Sequence, residues 1–171
     1  MKMPHLPEKT PHGLEYLIGG VLTTEDILVT SRAHQINDGE LPRPATNSLD
    51  EFSVYNTGDL FNGYIFAFWA DGLLSYSLPK LYDFVVKRLG KESCVSKCIA
   101  YFREDYTRVN VASGILSSLS ISFFETTGIL NTPDVKDIPA GVAGALLYVG
   151  ARYANGKWYW SSLSSTKQEG L

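Results

Sequence analysis

Short apolar runs separated by turn-forming dipeptides mark much of this chain, and the pattern predicts a sheet. The run Tyr64-Ile65-Phe66-Ala67-Phe68-Trp69 is aromatic and β-branched, the composition of a buried strand. Ala70-Asp71-Gly72 follows, and Leu73-Leu74-Ser75-Tyr76 reads as the returning strand. Asp-Gly between two such runs suits a type I′ hairpin, whose central residues need φ > 0. The C-terminal part repeats the logic, with a strand over residues 145–153, a turn at Asn155-Gly156 and a return through Trp158-Tyr159-Trp160. Residues 106–111 read as a further strand with Thr107, Val109 and Val111 on one face. Residues 21–30 lean toward strands flanking Glu25-Asp26, and residues 115–124 are apolar without a clear period.

One segment has helical spacing. Leu78, Leu81, Tyr82, Val85 and Leu89 recur at the 3.6-residue period, with Ser77 as a cap, Pro79 in the first turn and Gly90 at the end. Leu81, Val85 and Leu89 are expected in the core, and Lys80, Lys87 and Arg88 in solvent. Residues 91–102 allow a second short helix or a strand, and the polar stretch 31–46 reads as a long loop. The expected fold is therefore α+β: a mainly antiparallel, hairpin-built sheet with one or two helices packed on it. Residues 1–14, with Pro4, Pro7 and Pro11, form an irregular arm; residues 15–162 form a single compact domain; residues 163–171 form a loose tail.

Composition narrows the partners. The 171 residues carry 15 Lys and Arg against 18 Asp and Glu, a formal net charge of −3. This argues against nucleic acid held on a general basic surface. Charged residues make up 19% of the chain, below the usual ~25%, and hydrophobic residues 44%. No secretory signal is visible at Met1-Lys2-Met3-Pro4. The longest nearly uncharged apolar run, residues 141–151, is shorter than the ~20 residues of a membrane helix, so no membrane insertion is expected. Cys94 and Cys98 sit four apart and read as free, buried thiols on one helix.

Residues 48–60 and 118–130 share Ser48/Ser118, Leu49/Leu119, Thr57/Thr127, Gly58/Gly128 and Leu60/Leu130, which suggests two degenerate repeats over 48–76 and 118–160. The second copy contains Ser118-Leu119, Thr127-Gly128-Ile129-Leu130, Ile138-Pro139-Ala140-Gly141, Ala145-Leu146-Leu147-Tyr148-Val149 and Asn155-Gly156-Lys157-Trp158. In that order these elements resemble the small knob module of phage tail fibres and tailocins, the pyocin-knob type. Family members usually carry Tyr or Phe after Thr-Gly, where this chain has Ile129 and Asp59. The resemblance implies a virion or contractile-particle component in a multimeric appendage, and no catalytic residue.

No motif supplies enzyme chemistry. His5, His12 and His34 fall in arm or loop, no zinc spacing occurs, and Gly141-Val142-Ala143-Gly144 lacks the remainder of a phosphate loop. Arg103-Glu104-Asp105 reads as a solvated turn. Neither a metal nor a cofactor is expected. The aromatic hairpins offer one candidate ligand surface, in which Tyr153, Lys157 and Tyr159 stack on a sugar or on a neighbouring subunit. These readings make the protein a non-enzymatic structural or host-attachment component of a phage-type virion, produced in the host cytoplasm. Its expected partners are its own copies or other virion subunits, with the arm on a neighbour, and a host surface glycan. The rival readings are a stand-alone carbohydrate- or small-ligand-binding module and a small enzyme whose site follows no motif.

Overall fold

The computed structural model describes residues 12–45, 48–127 and 137–168, with side chains described up to residue 158 except those at 52 and 55. Most of the N-terminal arm, the middle of the second repeat and the end of the tail therefore lie outside the described residues. Five helices follow one another: α1 (Leu14–Asn37), α2 (Leu49–Leu89), α3 (Cys94–Arg103), α4 (Tyr106–Thr127) and α5 (Ile138–Gln168). No strand occurs among the described residues, and the expected α+β sheet is corrected to a helical bundle.

Both hairpins fail for one reason. Asp71-Gly72 lies inside α2 and Asn155-Gly156 inside α5. The only described glycines with φ in the left-handed region are Gly39 and Gly90, both at φ 79°. In α2 the inward residues Tyr64, Ala67 and Asp71 follow i, i+3 and i+7, a helical period hidden within a run of apolar neighbours. Local strand preference yields here to helix packing, because Ala145 and Tyr148 of α5 pack on that face. Gly90 does end its helix, its N–H bonding Val86 O at 3.0 Å, but that helix begins well before the start that Ser77 would suggest, at Leu49. Ser48 caps it instead, accepting from the Glu51 N–H at 3.0 Å, and Pro79 is interior.

Residue pairs give the directions. Gly63 meets Gly141, and Asp71 meets Tyr148 and Arg152, so α2 and α5 run side by side in the same sense. α4 runs against both, with Ser117 near Gly63, Asn110 bonded to Val149 and Tyr106 bonded to Asp71. α1 also opposes them: the Tyr64 hydroxyl donates to Glu15 O at 2.6 Å, and Arg152 meets the Glu15 side chain. α3 packs on α2 and α4 at the far end of the bundle.

Small residues allow this packing. A Cβ on Gly63 would stand 1.8 Å from Gly141 O, and one on Gly144 would stand 1.9 Å from Leu60 O. The α2 and α5 backbones are therefore in contact, and Ala67, Ala140, Ala145, Ser113 and Ser117 continue the close-packed seam. Such seams are typical where helix backbones approach closely.

The outer surface is apolar in many places. Leu17, Val21, Trp69, Leu73, Ile115, Leu119, Phe123, Leu146 and Trp158 are all exposed. Of the expected core trio only Val85 is buried; Leu81 and Leu89 are exposed, as are both cysteines, which are free. Among the described residues no helix is long and apolar enough to cross a membrane.

Gly63→Leu should lower the melting temperature sharply, equivalent to at least ~2 kcal/mol, because the side chain overlaps the Gly141 backbone. Gly72→Ala, at an open position in the same helix, should stabilise by ~0.5–1 kcal/mol in the same melting experiment. Equal effects from the two would refute the backbone contact.

Candidate functional site

Of the four charged side chains buried among the described residues, Glu125 lies near the end of α4 and the other three meet at one place, each the lone charge in an otherwise uncharged stretch of helix. Glu15 comes from the first turn of α1, Asp71 from the middle of α2 and Arg152 from α5. Their exposures are 1%, 1% and 4%. Arg152 lies between the two carboxylates. One guanidinium nitrogen donates to Glu15 Oε1 at 3.0 Å, and Nε lies 3.7 Å from Asp71 Oδ2.

Tyrosines complete the cluster. Tyr106, at the start of α4, donates to Asp71 Oδ2 and accepts from Arg152 Nε at 2.6 Å. Tyr148 donates to the same Asp71 oxygen at 2.7 Å. The Arg152 guanidinium also lies over the Tyr106 ring, 4.6 Å from its centroid. Tyr64 stands edge-on to Tyr148, with ring centroids 5.4 Å apart, and its hydroxyl holds the Glu15 backbone. Four helices therefore contribute to one buried knot.

Each residue is placed by its helix. Tyr148 and Arg152 are four apart on α5 and lie on one face, and Tyr64 and Asp71 are seven apart on α2. His12 covers the open side just before α1, half-buried against Tyr16 and Phe68, with Nδ1 3.9 Å from Glu15 Oε1. Glu15 Oε2, Asp71 Oδ1 and His12 Nδ1 have no hydrogen-bond partner among the described residues.

Electrostatics set what the knot can do. Two ionised carboxylates on one guanidinium leave a net negative charge away from water, where each ion costs several kcal/mol to bury. Two tyrosine hydroxyls offset that cost at Asp71, while Glu15 has the guanidinium and no such donor. The unpartnered oxygens leave acceptor capacity for a further hydrogen-bond donor. Among the described residues no group of three His, Cys, Asp or Glu converges on a metal position.

The expected ligand surface is elsewhere. Tyr153 and Lys157 are exposed on α5, four residues apart and so on one helical side, and Tyr159 lies further along α5 with its side chain outside the described residues. The strand alternation expected to group them is absent, and neither Tyr153 nor Lys157 joins the buried cluster. The cluster itself went unread in the sequence, although a signal for it exists. Asp71 is the only charge in residues 60–79, Arg152 the only one in 138–156, and Glu15 the only one in 14–24.

No family model, no curated protein and no solved structure matches this chain.

Arg152→Ala should destabilise the fold by ~3–5 kcal/mol, since it strands two buried carboxylates. Tyr148→Phe should cost ~1–2 kcal/mol, the loss of one bond to an ionised acceptor. Adding Asp71→Asn to Arg152→Ala should restore part of the loss in thermal melts; a purely additive double variant would deny the charge pairing.

Proposed function

We propose that the chain is a membrane-embedded helical bundle, with the Glu15–Arg152–Asp71 knot as an ionisable centre inside a lipid-facing shell. One observation carries this reading: polar and charged side chains share the interior with small and apolar ones, while many large apolar side chains face outward. The buried positions hold Glu15, Asp71, Arg152, Asn110, Ser113 and Ser117, while Leu17 at 66%, Trp69 at 69% and Leu119 at 62% are exposed. A soluble bundle shows instead an apolar stripe inward and charges outward.

Charge spacing supports the same reading. The stretches 60–79, 109–124 and 138–156 hold no exposed charged side chain; Asp71 and Arg152, both buried, are their only charges. At ~1.5 Å per residue they run about 30, 24 and 28 Å, near the ~30 Å of a bilayer core. Among the described residues no single helix is long and apolar enough to cross a membrane, and the inward Ser, Asn, Asp and Gly positions lower each helix's average. Packing the helices hides those faces from lipid, and Ser113, Ser117 and Asn110 each donate to a backbone carbonyl within the bundle. Charged residues enclosed in this way are usually sites of binding or proton movement. The reading departs from the expectation of no membrane insertion, which rested on run length alone.

The termini of these stretches differ in charge. Residues 80–108 hold seven Lys and Arg against four Asp and Glu, whereas 25–59 hold two against seven. The positive-inside bias therefore orients the α2–α3–α4 junction toward the cytoplasm.

The test is fractionation of cells expressing the full chain. The protein should stay in the membrane pellet through an alkaline carbonate wash and require detergent for release. Recovery in the supernatant as a stable oligomer would overturn the proposal in favour of protein neighbours covering the apolar surface, as in the appendage reading. Cys94 and Cys98, exposed on α3, report the orientation: a membrane-impermeant maleimide should label them only after the cells are permeabilised.

A further inference from the structure

Where α3 folds back against α2 and α4, it encloses a cavity of about 710 Å³. Its walls are Leu74 and Leu78 from α2, Phe102 from α3, and Ala112, Ile115 and Leu116 from α4. Ile115 and Leu116 are also exposed, so the cavity is continuous with the apolar outer face of α4. The one charged residue in its lining is Arg108. That side chain is held in place: its guanidinium lies 3.7 Å from the Tyr101 ring centroid, donates to Tyr101 O at 2.7 Å and pairs with Asp105 at 3.4 Å.

A belt of the same character surrounds this end of the bundle. Lys80 stands over the Tyr76 ring at 3.6 Å, Arg88 over Phe84 at 5.8 Å and Arg103 over Tyr82 at 4.9 Å. Aromatic rings paired with long basic side chains suit the headgroup level of a bilayer, where each presents an apolar body and a polar tip. An apolar slot of this volume, opening onto the outer face with a fixed cation at its edge, matches a lipid molecule: hydrocarbon within, anionic headgroup at the basic rim.

We infer that the α2–α3–α4 cavity is a specific site for an anionic phospholipid, one acyl chain filling the slot and the phosphate at Arg108. This inference rests on the membrane reading and extends it by naming a ligand for a surface distinct from the buried knot. Phosphate binding at Arg108 competes with or joins Asp105, while the Tyr101 contacts keep the guanidinium in position.

Native mass spectrometry of the detergent-purified full chain decides the matter, with phosphatidylglycerol and phosphatidylcholine of identical acyl chains as probes. The wild type should retain phosphatidylglycerol about fivefold better, the preference expected of one surface cation on an anionic lipid. Arg108→Gln should bring that ratio toward one while lipid is still retained. Ala112→Phe, which places a ring in the slot, should reduce retention of both lipids. Equal retention of the two lipids by the wild type would overturn the inference, as would an unchanged preference in Arg108→Gln. Unchanged retention in Ala112→Phe would do the same. If Ala112→Phe does not fold, the wild-type ratio and Arg108→Gln still decide. A protein that leaves the membrane in carbonate fails the earlier reading; one that remains there and shows no lipid preference fails only this inference.

Discussion

The bundle depends on the enclosure of one guanidinium by groups from every long helix. Arg152 of α5 meets Glu15 of α1 and Asp71 of α2, and Tyr106 of α4 bridges it to the same aspartate. Beside it lies the apolar cluster of Tyr64, Ala67, Ala145 and Tyr148, with Ile18, Leu22, Ile65, Phe68 and Val149 packed against it. Directional bonds add to the specificity of that packing. Sliding any of these four helices by one turn, ~5.4 Å, would break bonds to at least one carboxylate.

Close packing and ionic pairing require each other. The tyrosine hydroxyls reach Asp71 because α2 and α5 touch at Gly63, Gly141 and Gly144, which brings Tyr148 across the seam. Larger residues at those glycines would separate the helices and leave the carboxylate short of donors. Under the membrane proposal the same geometry has a second benefit: with little water available, inward polar groups need partners within the protein. Ser117 on Gly63 O and Asn110 on Val149 O satisfy backbone carbonyls beside the seam.

Parts of this fold were legible in the sequence and parts were not. The end of α2 at Gly90 and the helical option for residues 91–102 could be read, because a positive-φ glycine and a 3.6 period leave local traces. The rest misled for a physical reason. In residues 64–69 and 145–149 apolar side chains occupy both inward and outward faces, so no helical stripe stands out and aromatic or branched content suggests strand. The candidate site was hidden by the same effect, since isolated charges in apolar runs resemble interruptions. They are instead the inward positions of three separate helices, and only the fold brings Glu15 and Arg152, 137 residues apart, into contact.

That separation has a consequence for how the chain matures. Synthesis proceeds from the N-terminus, so α1 and α2 are complete long before α5 supplies its arginine. Throughout that interval Glu15 and Asp71 lack the arginine that they share in the complete fold. Because α5 also slots parallel to α2, it must enter between partners already delivered. The final helix is thus the latch of the assembly, and a chain stopped short of it is left as an open, acid-lined intermediate.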